Sequence, residues 1–210
     1  MKKQAMLALV LGVLLLAGNS WAVPVLNVGD IVNFKNSLGN GPGGQFSLYK
    51  SGEFVLETFC LEKNEFLNFS NPFKIAAISD SASWGGVGPA GDPLSDETKY
   101  LYYHFYAGNL SGYVYDDPAS ADALQNAIWY LEEAASVSTD LEQYFIKLAE
   151  DAIKAGDTAG IDHIKALNLL YLNGDRAQDV LAYVPEPATL LLMGLGLLGL
   201  AGFSRRRFKG

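Results

Sequence analysis

The chain has 210 residues, half of them hydrophobic, with 15 basic and 23 acidic side chains and a single cysteine. Six of the basic residues but only one of the acidic ones lie in the two ends, so residues 23–184 hold 9 basic against 22 acidic groups, a net of about −13. That excess excludes a nucleic-acid partner, which needs a basic face for phosphates. One cysteine excludes an internal disulfide, so the fold must hold without one.

The N-terminus opens with Lys2 and Lys3, an apolar run over residues 5–17 and the small-x-small site Ser20-Trp21-Ala22. The run is shorter than the roughly 20 residues a membrane span needs, so residues 1–22 are predicted to be a cleaved signal peptide, not an anchor. Residues 25–34, "VLNVGDIVNF", have strand composition, and "GNGPGG" after them is a loop. "QFSLY" and "EFVLETFCLE" flank a turn at Lys50-Ser51-Gly52-Glu53, which predicts a hairpin. In its second strand Phe54, Leu56, Thr58 and Cys60 share one face, so the thiol is expected to be buried.

Residues 68–96 read as loop-rich, and residues 98–110, dense in aromatics, as a helix stopped by Gly108. Asp117 as cap and Pro118 at the first position open the clearest helix, in which Leu124, Ile128, Leu131 and Ala135 form an apolar stripe. Gln125 does not face away from that stripe, because Ile128 and Trp129 fall on either side of it one turn later. A further amphipathic helix is expected over residues 141–155, with Leu141, Tyr144, Phe145, Leu148 and Ala152 inward and Gly156 as its stop. Asn173-Gly174 between residues 164–172 and 178–184 predicts a closing hairpin. The order of strands, helices and strands gives an α+β domain over residues 23–184, with a β-sandwich or barrel-like part and an inserted helical part.

The C-terminal end, residues 185–210, combines Pro185-Glu186-Pro187, an apolar run over residues 188–203 and the cluster Arg205, Arg206, Arg207. Basic residues directly after an apolar run hold that end in the cytoplasm, leaving the domain on the far side. At about 1.5 Å per residue the run covers roughly 24 Å as a helix, a little short of a bilayer core and suited to transient inner-membrane insertion. This tripartite tail resembles the PEP-CTERM sorting signal. The resemblance implies a Gram-negative bacterium, an exosortase-type membrane peptidase as partner, cleavage near the Pro-Glu-Pro site, and release or display at the cell surface, often in an exopolysaccharide matrix.

Candidate chemistry inside the domain is sparse. His104 and His163 are isolated, and no His/Cys/Asp cluster has metal-ligand spacing, so neither a metal nor a cofactor is expected. No nucleophile elbow, phosphate-binding loop or zinc-protease motif is present. Cys60 read alone is either a small buried apolar residue or a reactive thiol.

"TFCLE" around Cys60 and "LQNAIW" around Gln125 resemble the two halves of the thioester domain of Gram-positive surface adhesins. The resemblance implies an internal thioester in which Cys60 donates the sulfur and Gln125 the acyl group, with Phe59, Ile128 and Trp129 walling the site. It implies single-turnover covalent attachment to amines, or matrix hydroxyls, on a target, not a turnover enzyme. Such an acyl group persists only where water is excluded, and Phe54, Leu56, Ile128 and Trp129 are candidate walls; its oxygen needs donors, for which backbone N–H groups are the default. The competing expectation is a non-covalent structural or polysaccharide-binding matrix protein with an inert Cys60 and exposed aromatics such as Tyr113 or Tyr115 meeting sugar.

Overall fold

The computed structural model describes residues 25–39, 43–83, 92–133 and 135–185. The expected signal peptide, Glu186, Pro187, the apolar tail and Arg205, Arg206 and Arg207 lie outside the described residues. Among the described residues no helix is long and apolar enough to cross a membrane.

Six strands form one antiparallel sheet: β1 (Ile31–Leu38), β2 (Gln45–Lys50), β3 (Glu53–Thr58), β4 (Phe73–Ser79), β7 (Ile164–Tyr171) and β8 (Val180–Tyr183), in the order β3-β2-β1-β4-β7-β8. A two-residue ribbon pairs β5 (Ser81–Ala82) with β6 (Asp92–Pro93). Three helices are inserted between β6 and β7: α1 (Asp96–Tyr106), α2 (Pro118–Glu133) and α3 (Asp140–Lys154). The sheet curls until its two edges meet. Just past β3, Cys60 bridges Val180 of β8, and the buried Thr58 hydroxyl donates to the Leu181 carbonyl. The domain is therefore α+β with a barrel-like β part, and among its described residues no second large sheet makes a sandwich.

The predicted hairpins are present, with β2 and β3 turning at Ser51-Gly52, and β7 and β8 separated by a turn in which Gly174 adopts a φ of 90°. The first strand starts later than expected. Residues 27–30 form a tight turn, with the Asn27 N–H donating to Asp30 Oδ2 at 2.7 Å, and pairing begins only at Ile31. Residues 73–79 are not loop but a central strand, with Phe73 and Ile75 fully buried. A shift in register between Ile75 and Ala77 breaks its alternation, which hid the strand in the sequence.

The helices follow their caps. Ser95 caps α1, the Asp117 carboxylate accepts from the Ser120 N–H at 3.0 Å in the first turn of α2, and Thr139 with Glu142 makes a capping box on α3. Gly108 and Gly156, both at positive φ, follow α1 and α3 as stops. Tyr144 does not point inward as expected; it is 42 % exposed, its hydroxyl meets Ser111, and Glu142 takes a buried place through its capping bonds.

Two apolar cores result. Helical residues Leu101, Tyr102, Leu124, Ile128 and Phe145 pack in one, and sheet residues Val32, Phe34, Leu48, Phe73 and Leu167 in the other. The segment after β3 runs along their seam: Phe59 belongs to the helical core and Cys60 to the sheet core, the alternation expected of extended chain.

Candidate functional site

Backbone pairing decides what can meet Cys60. The Leu61 N–H donates to the Asp179 carbonyl at 3.0 Å and the Leu181 N–H to the Phe59 carbonyl at 3.1 Å, so residues 59 and 61 bond toward β8. The N–H and C=O of Cys60 therefore point the other way, toward α2, where no strand lies among the described residues. Gln125 fills the gap. The Cys60 N–H donates to Gln125 Oε1 at 2.9 Å, and Gln125 Nε2 donates to the Cys60 carbonyl at 2.9 Å. A side-chain amide thus takes the place of a strand partner, and both residues are almost fully buried. Each backbone group left without its partner would cost about 1–3 kcal/mol.

Gln125 reaches this position because α2 lies across the seam of the two cores. Leu124 and Ile128 anchor the helix in the helical core, while Trp129, one turn after Gln125, inserts into the sheet core beside Cys60. Of the expected wall residues, Trp129 adjoins the pair directly. Phe59, edge-on to Phe105 at 5.0 Å, and Ile128 support it from the helical core. Phe54 is half exposed and packs against Tyr49, so it does not wall the pair; its own strand carries an extra residue there, Val55, between Phe54 opposite Tyr49 and Leu56 opposite Leu48.

Two clefts flank the pair. One, of about 190 Å³, is bordered by Cys60, Phe46, Phe66, Leu67, Phe69 and Gln178. The other, of about 250 Å³, is bordered by Gln125, Lys63, Asp122, Asn126 and Trp129. Gly43 lines both, and a Cβ on it would stand 2.5 Å from Trp129 Cη2 and 2.8 Å from Gln125 Cγ. Only glycine fits this approach.

Burial pushes the Cys60 thiol well above its ordinary range, and Glu62, once ionised, adds to the effect. Glu62 is itself buried, which with the neighbouring Asp179 raises its carboxyl to about 9. The division of protons between these acids follows from their donors. Asp179 accepts from the N–H groups of Leu169 and Ser83 and from Asn168 Nδ2, whereas among the described residues Glu62 Oε2 accepts only the Asp179 N–H and Oε1 has no hydrogen-bond partner. Glu62 is the protonated member at neutral pH. Gln178 Nε2 donates to the Glu62 carbonyl and fixes the segment beyond Cys60.

A protonated buried thiol on a residue whose backbone is gripped by a carboxamide is suited to acyl chemistry confined by the fold, not to rapid exchange with solvent oxidants. The histidines serve elsewhere: His104 Nδ1 bonds Asn109 Oδ1 at 2.9 Å, and His163 packs against Tyr183. No group of His, Cys, Asp or Glu able to hold a metal occurs among the described residues. Sequence reasoning missed Lys63, Gly43, Glu62 and Asp179. The "GNGPGG" run was a signal for close backbone approach, but nothing local announced the buried acids.

Residues 184–207 match the PEP-CTERM protein-sorting motif. The chain is therefore an exported protein whose C-terminal signal is processed by an exosortase, a membrane protease. No curated protein and no solved structure was found to match the chain.

Proposed function

We propose that Cys60 and Gln125 form an internal thioester that attaches this exported protein covalently to amines, or to hydroxyls, on a surface or matrix polymer. The observation that carries the reading is the reciprocal pair of hydrogen bonds by which Gln125 grips the Cys60 backbone. The sulfur attacks the Gln125 carboxamide carbon, the C–N bond breaks, and the nitrogen leaves as ammonia with the thiol proton. The Nε2 bond to the Cys60 carbonyl is lost, while the Cys60 N–H keeps its place on Oε1. That N–H is the donor for charge developing on the acyl oxygen. An incoming amine then takes the acyl group, the C–S bond breaks, and Cys60 regains its thiol. One molecule reacts once, so the protein is a reactive tether.

Intact mass tests this. The native chain should weigh one ammonia less than its sequence, and methylamine should add its full mass while exposing Cys60 to alkylation. A full sequence mass with Cys60 freely alkylated after denaturation, and no methylamine uptake, defeats the reading. Surface display and a place in a biofilm matrix belong to the same proposal, supported by the sorting motif.

A second reading, non-covalent polysaccharide binding, has one observation of its own. A cleft of about 510 Å³ gathers Asn68, Asn71, Asn173 and Asp175 beside the Tyr171 ring, groups suited to sugar hydroxyls and a sugar face. Tyr113 plays no such part, being buried with its hydroxyl on Gln45. Loss of polysaccharide retention in Tyr171→Ala, with methylamine uptake unchanged, would favour this cleft.

A further inference from the structure

We infer that Lys63 is a built-in competitor for the Gln125 acyl group, closing the site as a Lys63–Gln125 isopeptide when no outside amine arrives. The inference rests on the thioester reading above. Lys63 follows Cys60 by three residues, and its backbone N–H is fixed on Glu133 Oε2 at 3.0 Å. Its side chain borders the same cleft as Gln125, with Nζ 5.9 Å from the centre of the Trp129 ring. Gln125 and Trp129 are one helical turn apart, so Gln125, Trp129 and Lys63 border one small cleft.

The state of the other lysines sharpens the point. Lys50, Lys99, Lys147 and Lys165 are each held by a carboxylate at 2.6 to 3.2 Å, and Lys35 lies over the Tyr49 ring on the sheet; of the lysines in no ion pair, Lys63 is the one that borders the cleft of Gln125. Lys63 has no carboxylate partner among the described residues, and only the indole face receives it. A four-carbon stem then leaves the amine able to swing toward Gln125. Cleft, root and cation together put a primary amine in the cleft that Gln125 borders, at an effective concentration no dilute target can match.

The step balances without any co-reactant. The neutral Lys63 nitrogen attacks the acyl carbon of the thioester, the C–S bond breaks, and the proton released from nitrogen passes to the departing sulfur. The products are the Cys60 thiol and a secondary amide. An amide is the more stable acyl derivative, so closure is final. An exported molecule that misses its target would thus disarm itself.

Peptide mapping of the purified full chain, with thiol labelling after denaturation, tests the inference. The wild type should yield, with time, a branched peptide joining Lys63 to Gln125, with Cys60 labelled and the deficit of one ammonia unchanged by methylamine. Lys63→Arg keeps a cation over Trp129 but removes the nucleophile. It should give no branched peptide and a thioester that lasts about tenfold longer or more before methylamine opens it. Cys60→Ala should also give no branched peptide, and persistence of the branch there overturns the route. A wild-type thioester that opens to methylamine but never yields the branch overturns the inference and leaves the proposed function standing. A wild type with full mass and no methylamine uptake removes both.

Discussion

The two edges of the segment around Cys60 are held in different ways. Toward β8, residues 59 and 61 bond backbone to backbone, as in any antiparallel sheet. Toward α2, Cys60 bonds to a side-chain carboxamide. A backbone partner is a permanent part of the fold. A carboxamide can be exchanged for a covalent bond while its oxygen keeps the same donor. The edge that the sheet leaves unpaired is therefore the edge where the proposed thioester would form.

The sharpest break of this contrast is Gln125→Ala. It strands a buried donor and a buried acceptor on Cys60, and the expected loss is about 4 kcal/mol in denaturant unfolding, together with all methylamine uptake. Cys60→Ala should abolish uptake just as fully while costing far less stability, because the backbone bonds to Gln125 survive.

The next effect is one of pH. The folded state binds the Glu62 proton more tightly than the unfolded chain, in which an ordinary glutamate titrates near 4.5. Stability from this group is complete below that value, falls as pH rises, and is fully lost above about 9. The slope in between is up to about 1.4 kcal/mol per pH unit, so a melt series from pH 6 to 8 should drop by about 2–3 kcal/mol. Glu62→Gln should flatten that series.

Smaller changes separate the two edges. Gly43→Ala presses on both Trp129 and Gln125, and should cost about 2 kcal/mol and slow methylamine uptake through the cleft it narrows. Thr58→Val removes the hydroxyl that donates to Leu181 on the β8 edge and should cost about 1–2 kcal/mol with uptake unchanged. If Thr58→Val altered uptake as much as Gly43→Ala, the two edges would not be chemically distinct.

What could be read in advance was whatever a short window contains. Asp117-Pro118, Gly108 and Gly156 announce helix ends because caps act within one turn, and Asn173-Gly174 marks a turn for the same reason. The β4 strand was missed because its shift in register spoils a period of two. Cys60 and Gln125 were legible as residue types suited to one chemistry, but the Cys60 N–H that donates to Gln125 Oε1 was not. It depends on β8 taking the bonds of residues 59 and 61, a pairing across about 120 positions of sequence. Glu62 and Asp179 were hidden likewise, since each is ordinary until the curl of the sheet buries them together.

The place where β8 ends has a mechanical consequence. Tyr183 closes the strand, and the sorting motif starts at the next residue. Any pull transmitted along the C-terminal tail enters the domain through β8, whose bonds to β7 and to the segment around Cys60 lie across the strand and are loaded in shear. A molecule fastened at Gln125, as proposed, and tugged at its tail would carry tension between the two through the very segment that Gln125 grips.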